Sequence, residues 1–327
     1  MENTPSLQAT LPEPKPDQAY VEVSALEAGL IRLPMQLFLQ GAPPDEINSC
    51  PSLAFYIRHV PSGQHLVFDL GLRRDIESFP PIVQAAIARW MPVEVPQSVD
   101  ESLAKGGIDP KDVKTIVLSH VHFDQCVSSS RPYGRRTLTN APSNSIGDHA
   151  PFPNATFVLG PGSDALLDGG FPGTPASDIL EASVPRTRTR VLAPADFSAP
   201  VGPFPRAHDF FGDSSLFLVE AAGHLAGHVN VLARTSPAGA WILLGGDAAH
   251  DVRLLTGECE VASAVDPASG RLLCAHVKKE EAVAHMRRVG SLLGVPGVHV
   301  LLAHDWEWYE ANKGGSAFLP GKIPPRA

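Results

Sequence analysis

Cysteine is scarce and scattered in this chain: four residues in 327, Cys50, Cys126, Cys259 and Cys274, without paired spacing. That argues against a disulfide framework and suits a reducing compartment. A basic excess is missing too, since 26 Lys and Arg against 35 Asp and Glu leave a formal net charge of -9. Nucleic-acid binders usually carry a basic domain or stripe, so no nucleic-acid partner is expected. The acidic balance also offers little surface for docking a carrier protein, which would need basic residues. Long apolar runs are absent. No segment approaches a membrane span, and the polar, proline-rich N-terminus has no apolar core of a secretion signal. A cytoplasmic protein with no membrane partner is the expectation.

An ordinary globular composition is present, with 43% hydrophobic residues. The length allows two domains but also suits one α/β domain. Residues 1–19, with Pro5, Pro12, Pro14 and Pro16 among polar neighbours, read as a flexible tail. The remainder, 20–327, reads as a single domain. Two apolar segments, 52–59 and 65–68, flank the turn-forming Pro61-Ser62-Gly63-Gln64 and predict a hairpin. Helical spacing appears over 81–90, 99–105 and 278–293, and a further strand at 156–159 leads into a short helix. The connection 127–154, rich in Ser, Pro, Asn and Arg, is long for a loop and reads as an insertion over a functional site. Its Arg131, Arg135 and Arg136 suit an anionic substrate group or a solvated surface.

The chemistry concentrates where apolar segments end. Thr115-Ile116-Val117-Leu118 runs into Ser119-His120-Val121-His122-Phe123-Asp124-Gln125. Histidines two apart on an extended backbone point to the same side and can reach one cation, and Asp124 adds a hard oxygen donor. His, His and Asp at this spacing suit zinc or a similar first-row divalent ion. Three later apolar segments also end in ligand-type residues: Gly223-His224-Leu225-Ala226-Gly227-His228, Gly245-Gly246-Asp247-Ala248-Ala249-His250, and Ala303-His304-Asp305. Donors repeated at strand exits are how an α/β scaffold builds a site along one edge.

This order and spacing resemble the metallo-β-lactamase fold hydrolases, with wording similar to the N-acyl-homoserine-lactone lactonase-like branch. Leu66-Val67-Phe68-Asp69-Leu70-Gly71 resembles a further strand end of that family. The resemblance covers roughly residues 20 to 310. It implies an αββα sandwich, an α/β fold with the metal site at one edge of two sheets. It also implies two metal positions, His120, His122 and His224 with Asp247 at the first, and Asp124, Asp247 and His304 at the second. The family has a histidine where this chain has Gln125, which offers only an amide oxygen to that second position. Zn2+ is therefore expected, one ion firmly bound and a second held more weakly, with other divalent metals also able to enter.

The resemblance further implies metal-bound hydroxide attacking the carbonyl of a lactone or related cyclic ester, the substrate being a small acyl molecule. Asp124 would carry the proton to the leaving group. His250 stands where lactonase-like relatives have a tyrosine that contacts the developing oxyanion, and an imidazole can donate that bond. A thioesterase or lactamase on the same fold, or a non-catalytic member with an impaired second metal site, are the alternatives. His228 and Asp69 are expected to brace the ligands, as is Asp305. Met35, Phe38, Leu39, Trp306, Trp308 and Tyr309 are candidates for an apolar substrate wall, with at least one ring of 306–309 near the cleft, and 204–211 for another wall. The remaining histidines, among them His276 and His285, read as structural or surface residues. Oligomeric state is not encoded legibly.

Overall fold

Alternation of side-chain direction along short apolar strands builds this molecule from two facing sheets. The computed structural model describes residues 10–122, 149–265 and 272–326. Val21–Leu26, Ala54–His59, His65–Phe68, Thr115–Val117, Thr156–Leu159 and Thr189–Val191 lie side by side in chain order as one six-stranded sheet. Ala199–Val201, Phe204–Asp209, Leu216–Glu220, Val229–Arg234, Trp241–Leu244 and Val298–Leu301 form the second, also in chain order. The expected hairpin is present, Ala54–His59 pairing antiparallel with His65–Phe68.

Each sheet has two apolar faces, because alternate residues point to opposite sides. Val21, Val23, Phe55, Ile57, Leu66 and Phe68 of the first sheet meet Leu216, Leu218, Val229, Val231 and Ile242 of the second in the central layer. The intervening residues Tyr56, Val67, Ile116 and Phe157 face outward, against Leu103 of helix Val99–Lys105 and Leu167 of helix Ser163–Asp168. On the opposite outer face Phe217, Leu232 and Leu243 pack on Met286 and Val289 of helix Lys279–Gly290. Helices therefore cover both sheets, which is the αββα sandwich expected. Each fully buried Phe or Leu contributes about 1.5–3 kcal/mol of transfer free energy, so this three-layer core dominates the stability.

Two expectations are corrected here. Residues 10–19 are not a loose tail, because Arg234 Nη2 donates to the carbonyls of Pro12 and Glu13, at 2.7 and 3.0 Å. Gln18 Nε2 likewise reaches Asp213 O at 3.3 Å. The stretch 204–211 is not a site wall: Phe204 is buried against His285, and Phe211 stacks on His59. Most of the insertion, residues 127–148, lies outside the described residues.

Candidate metal centre

Four strand ends deliver donor residues to one edge of the sandwich. Thr115–Val117 continues through Leu118 to Ser119, His120 and His122. Leu216–Glu220, Trp241–Leu244 and Val298–Leu301 lead to His224, Asp247 and His304. The last three strands run in the same direction, through two antiparallel pairings and one parallel pairing, so their exits share an edge. The sheets are joined beside the site, where Val229 N donates to Ser119 O at 2.8 Å. Gly246 makes the tight approach possible: with φ +49°, a Cβ there would lie 2.9 Å from Ser119 Cβ and 3.0 Å from His228 Nε2.

The donor atoms converge. His122 Nδ1 and His224 Nε2 are 3.2 Å apart. Asp247 is 0% exposed, with Oδ2 3.0 Å from His250 Nε2 and 3.6 Å from His224 Nε2, and Oδ1 3.8 Å from His304 Nε2. The ligand atoms of His120, His122 and His224 all lie within 4.8 Å of one another, and so do those of His224, Asp247 and His250.

Neighbouring bonds decide which ring nitrogen is left facing inward. His304 Nδ1 lies 2.8 Å from Pro51 O, an acceptor, so Nδ1 carries the proton and Nε2 presents a lone pair toward Asp247. A lone pair facing a carboxylate is repulsive unless a cation lies between them. His120 Nδ1 meets Ser119 Oγ at 2.9 Å, and its buried Nε2 has no hydrogen-bond partner among the described residues. His304 Nε2 is equally without one. Orphaned, buried imidazole nitrogens around a buried carboxylate are the donor set a first-row divalent ion takes. The residues fit a metal.

Burial, followed by repulsion from neighbouring imidazoles, holds His120, His224, His250 and His276 well below the ordinary histidine range. Burial lowers His122 as well and takes His228 to about 3. Neutral rings keep their lone pairs available, as ligation requires.

Supporting contacts follow the expected pattern in part. Asp69 Oδ1 accepts from Ser119 N at 2.7 Å and so steadies the first ligand loop. His228 donates from Nδ1 to Ala221 O and accepts from Asp247 N at Nε2, at 3.1 and 3.2 Å, holding the backbone of the turn that carries Asp247. Asp305 instead caps helix Trp306–Asn312, accepting from Trp308 N at 3.0 Å. Trp308 and Tyr309 pack on Phe318, and the Tyr309 hydroxyl donates to Glu27, so neither ring forms the expected wall. Met35 and Leu39 belong to the core, while Phe38 stacks on His250 with ring centres 4.4 Å apart. Asp124, Gln125, Cys126 and the three loop arginines lie outside the described residues.

His276 is the residue that sequence reasoning missed. Its Nδ1 is 3.2 Å from His224 Nδ1, and its ring centre is 5.2 Å from that of His250. Two backbone bonds place it there, Val277 N to His224 O and Lys278 N to Gly223 O, at 2.9 and 2.8 Å. The short strand Leu272–Leu273 ends three residues before it, and the apolar run Leu272-Leu273-Cys274-Ala275 into His276 is a local signal of the same kind as that before His304.

A buried, histidine-rich metal centre at the edge of an αββα sandwich defines a class of metalloproteins, and relatives agree with it. The chain is 33% identical over 263 residues to the metallo-hydrolase mfmC of Annulohypoxylon moriforme, covering 75% of this chain and 63% of that protein. It is 32% identical over 192 residues to the gamma-lactamase MBL2 of Gibberella moniliformis, covering 57% of this chain and 70% of that protein. It also aligns, at 28% identity, with 36% of the cytochrome P450 monooxygenase mpaDE' of Penicillium brevicompactum, so it spans only part of such relatives. Among solved structures, an N-acyl homoserine lactone hydrolase with N-hexanoyl-L-homoserine at its catalytic metal centre superposes with a TM-score of 0.65. That match has 14% identity and covers 94% of this chain and 100% of the other. No protein-family model matches. The chain belongs to the metallo-β-lactamase superfamily.

Proposed function

We propose that this protein is a metal-dependent hydrolase that opens a lactone or related cyclic ester, using zinc or a similar divalent ion. The reading is carried by the inward aim of His120 Nε2, His122 Nδ1, His224 Nε2 and His304 Nε2 around the buried Asp247. His120, His122, His224 and Asp247 Oδ2 would hold one ion. His304 and Asp247 Oδ1 would hold a second, with Asp124 and the amide oxygen of Gln125 completing that site from the sequence. Such an ion polarises a carbonyl and brings the pKa of a water molecule near neutrality.

The chain's own residues prepare the site. Pro51 O fixes which nitrogen of His304 faces inward, His228 holds the backbone N–H of Asp247, and burial keeps the imidazoles unprotonated. Asp124 is the residue proposed to move the proton onto the leaving oxygen, and Asp124→Asn is expected to remove most turnover. Near-normal kcat would overturn that role. The scattered cysteines support a reducing, cytoplasmic setting, and no described helix is long and apolar enough to cross a membrane.

A second reading, cyclic amide hydrolysis, is favoured by the gamma-lactamase relative, whose 32% identity exceeds the 14% of the lactone hydrolase structure. The test is a panel of γ-lactone, N-acyl homoserine lactone, γ-lactam and thioester substrates on protein stripped with chelator and reloaded with zinc. Lactone opening that disappears with chelation and returns with zinc supports the first reading. Turnover confined to the lactam supports the second. Failure of every acyl substrate with metal bound overturns both.

A further inference from the structure

We propose that His250 is itself a metal ligand of the centre, adding an imidazole beside Asp247. This rests on the metal-centre reading above and deepens it. His250 Nε2 is closer to the Asp247 carboxylate than either His224 or His304 is, at 3.0 Å against 3.6 and 3.8 Å. Neighbouring ligands on a zinc with bonds of about 2.0–2.1 Å stand about 3.3 Å apart in a tetrahedral shell, and about 2.9 Å apart at the right angles of the five-coordinate shell that His250 would complete. The separations His122–His224, His224–Asp247 and His250–Asp247, at 3.2, 3.6 and 3.0 Å, bracket the tetrahedral value.

The surroundings hold the ring in place and away from bulk solvent. The His250 side chain is 0% exposed. Phe38 stacks on it at 4.4 Å, and the His304 ring lies nearly parallel to it, 5.9 Å away. The next residue, Asp251, caps helix Val252–Thr256 by accepting from Arg253 N at 2.9 Å. Arg253 then ties Asp251 to Glu46, through contacts of 2.9 and 2.6 Å. A turn pinned on both sides suits a donor that must keep one orientation toward an ion.

The experiment compares full-length wild type with His250→Gln and His250→Phe, stripped of metal and titrated with cobalt(II) and zinc(II) against a chelator of known affinity. Glutamine keeps a hydrogen-bond donor, and phenylalanine keeps the stacking on Phe38. Thermal unfolding of the metal-free forms checks that both fold. Loss of an outer partner of a metal ligand costs roughly tenfold to a hundredfold in affinity, and loss of His250 is expected to cost at least that. The cobalt protein should lose one shifted, exchangeable imidazole N–H resonance and change its visible spectrum in both variants. Unchanged affinity and spectra, with only turnover reduced, overturn the assignment of His250 and leave the metal centre standing. A wild type that binds neither cobalt nor zinc overturns the centre itself.

Discussion

Asp247 contacts three imidazoles at once, those of His224, His250 and His304, and has no exposed surface. A single negative charge in that position is stable only if cationic charge accompanies it. Asp247→Asn preserves its shape and removes its charge, so metal content should fall and hydrolysis should drop at least about a hundredfold. Elemental analysis beside a rate assay reads both. His276 acts at one remove, because His224 can present Nε2 inward only while its Nδ1–H has an acceptor. His276→Ala should weaken metal binding roughly tenfold to a hundredfold, and His276→Gln, whose side-chain oxygen still accepts, should weaken it less. Equal losses in a chelator competition would count against the acceptor role. Of this residue-level picture, His120, His122, His224, Asp247 and His304 were legible because each follows an apolar strand. His276 follows a strand of only two residues and was missed; what places it is a pair of backbone bonds from Val277 and Lys278 to the loop at 223–224.

At the scale of elements, helix Lys279–Gly290 links the core to the ligand loop. Its Met286 and Val289 pack under the second sheet, and its first turn presses on Gly223. A Cβ on Gly223 would lie 2.4 Å from Ala282 N, and the residue has φ +133°. Gly223→Ala is therefore expected to push the helix away and to strain the backbone, costing about 1–3 kcal/mol. Because His224 follows directly, metal affinity should fall in the same variant. A thermal unfolding curve that overlays the wild type would show that the loop relaxes without cost. The helix itself was readable from its 3.6-residue spacing. Its contact with Gly223 was not, as periodicity says which face is buried but not what covers it.

For the whole molecule, buried histidines couple stability to pH. His285 Nε2 donates to Asn230 Oδ1 at 2.6 Å, and Asn230 Nδ2 donates on to Gly245 O at 2.6 Å, one residue before the turn that carries Asp247. Burial lowers His285 from 6.5 to about 3. Below about pH 6.5 the unfolded chain takes up this proton and the folded chain does not, so unfolding becomes easier as pH falls. The contribution is complete above pH 6.5 and disappears on the way down to about pH 3, with a size of roughly 2–5 kcal/mol. Urea unfolding between pH 7 and pH 4 should therefore show a shallower loss in His285→Gln than in wild type. Parallel slopes would mean that this imidazole titrates alike in both states.

The strand exits and the alternating apolar pattern were fully contained in the sequence, because both depend on residues adjacent along the chain. Thr115–Val117 running into His120 and His122, and Trp241–Leu244 running into Asp247, are local facts that a short continuous apolar run followed by donor residues makes visible. Other features required the folded chain. The anchoring of Pro12 and Glu13 depends on Arg234, and the tautomer of His304 depends on Pro51. The partner of His224 stands 52 residues away. A lone pair is aimed by whatever accepts or donates at the opposite ring nitrogen, and that partner is chosen by packing across the sandwich. Sequence therefore named candidate donors, and tertiary structure decided which nitrogen of His304 and His224 faces the others.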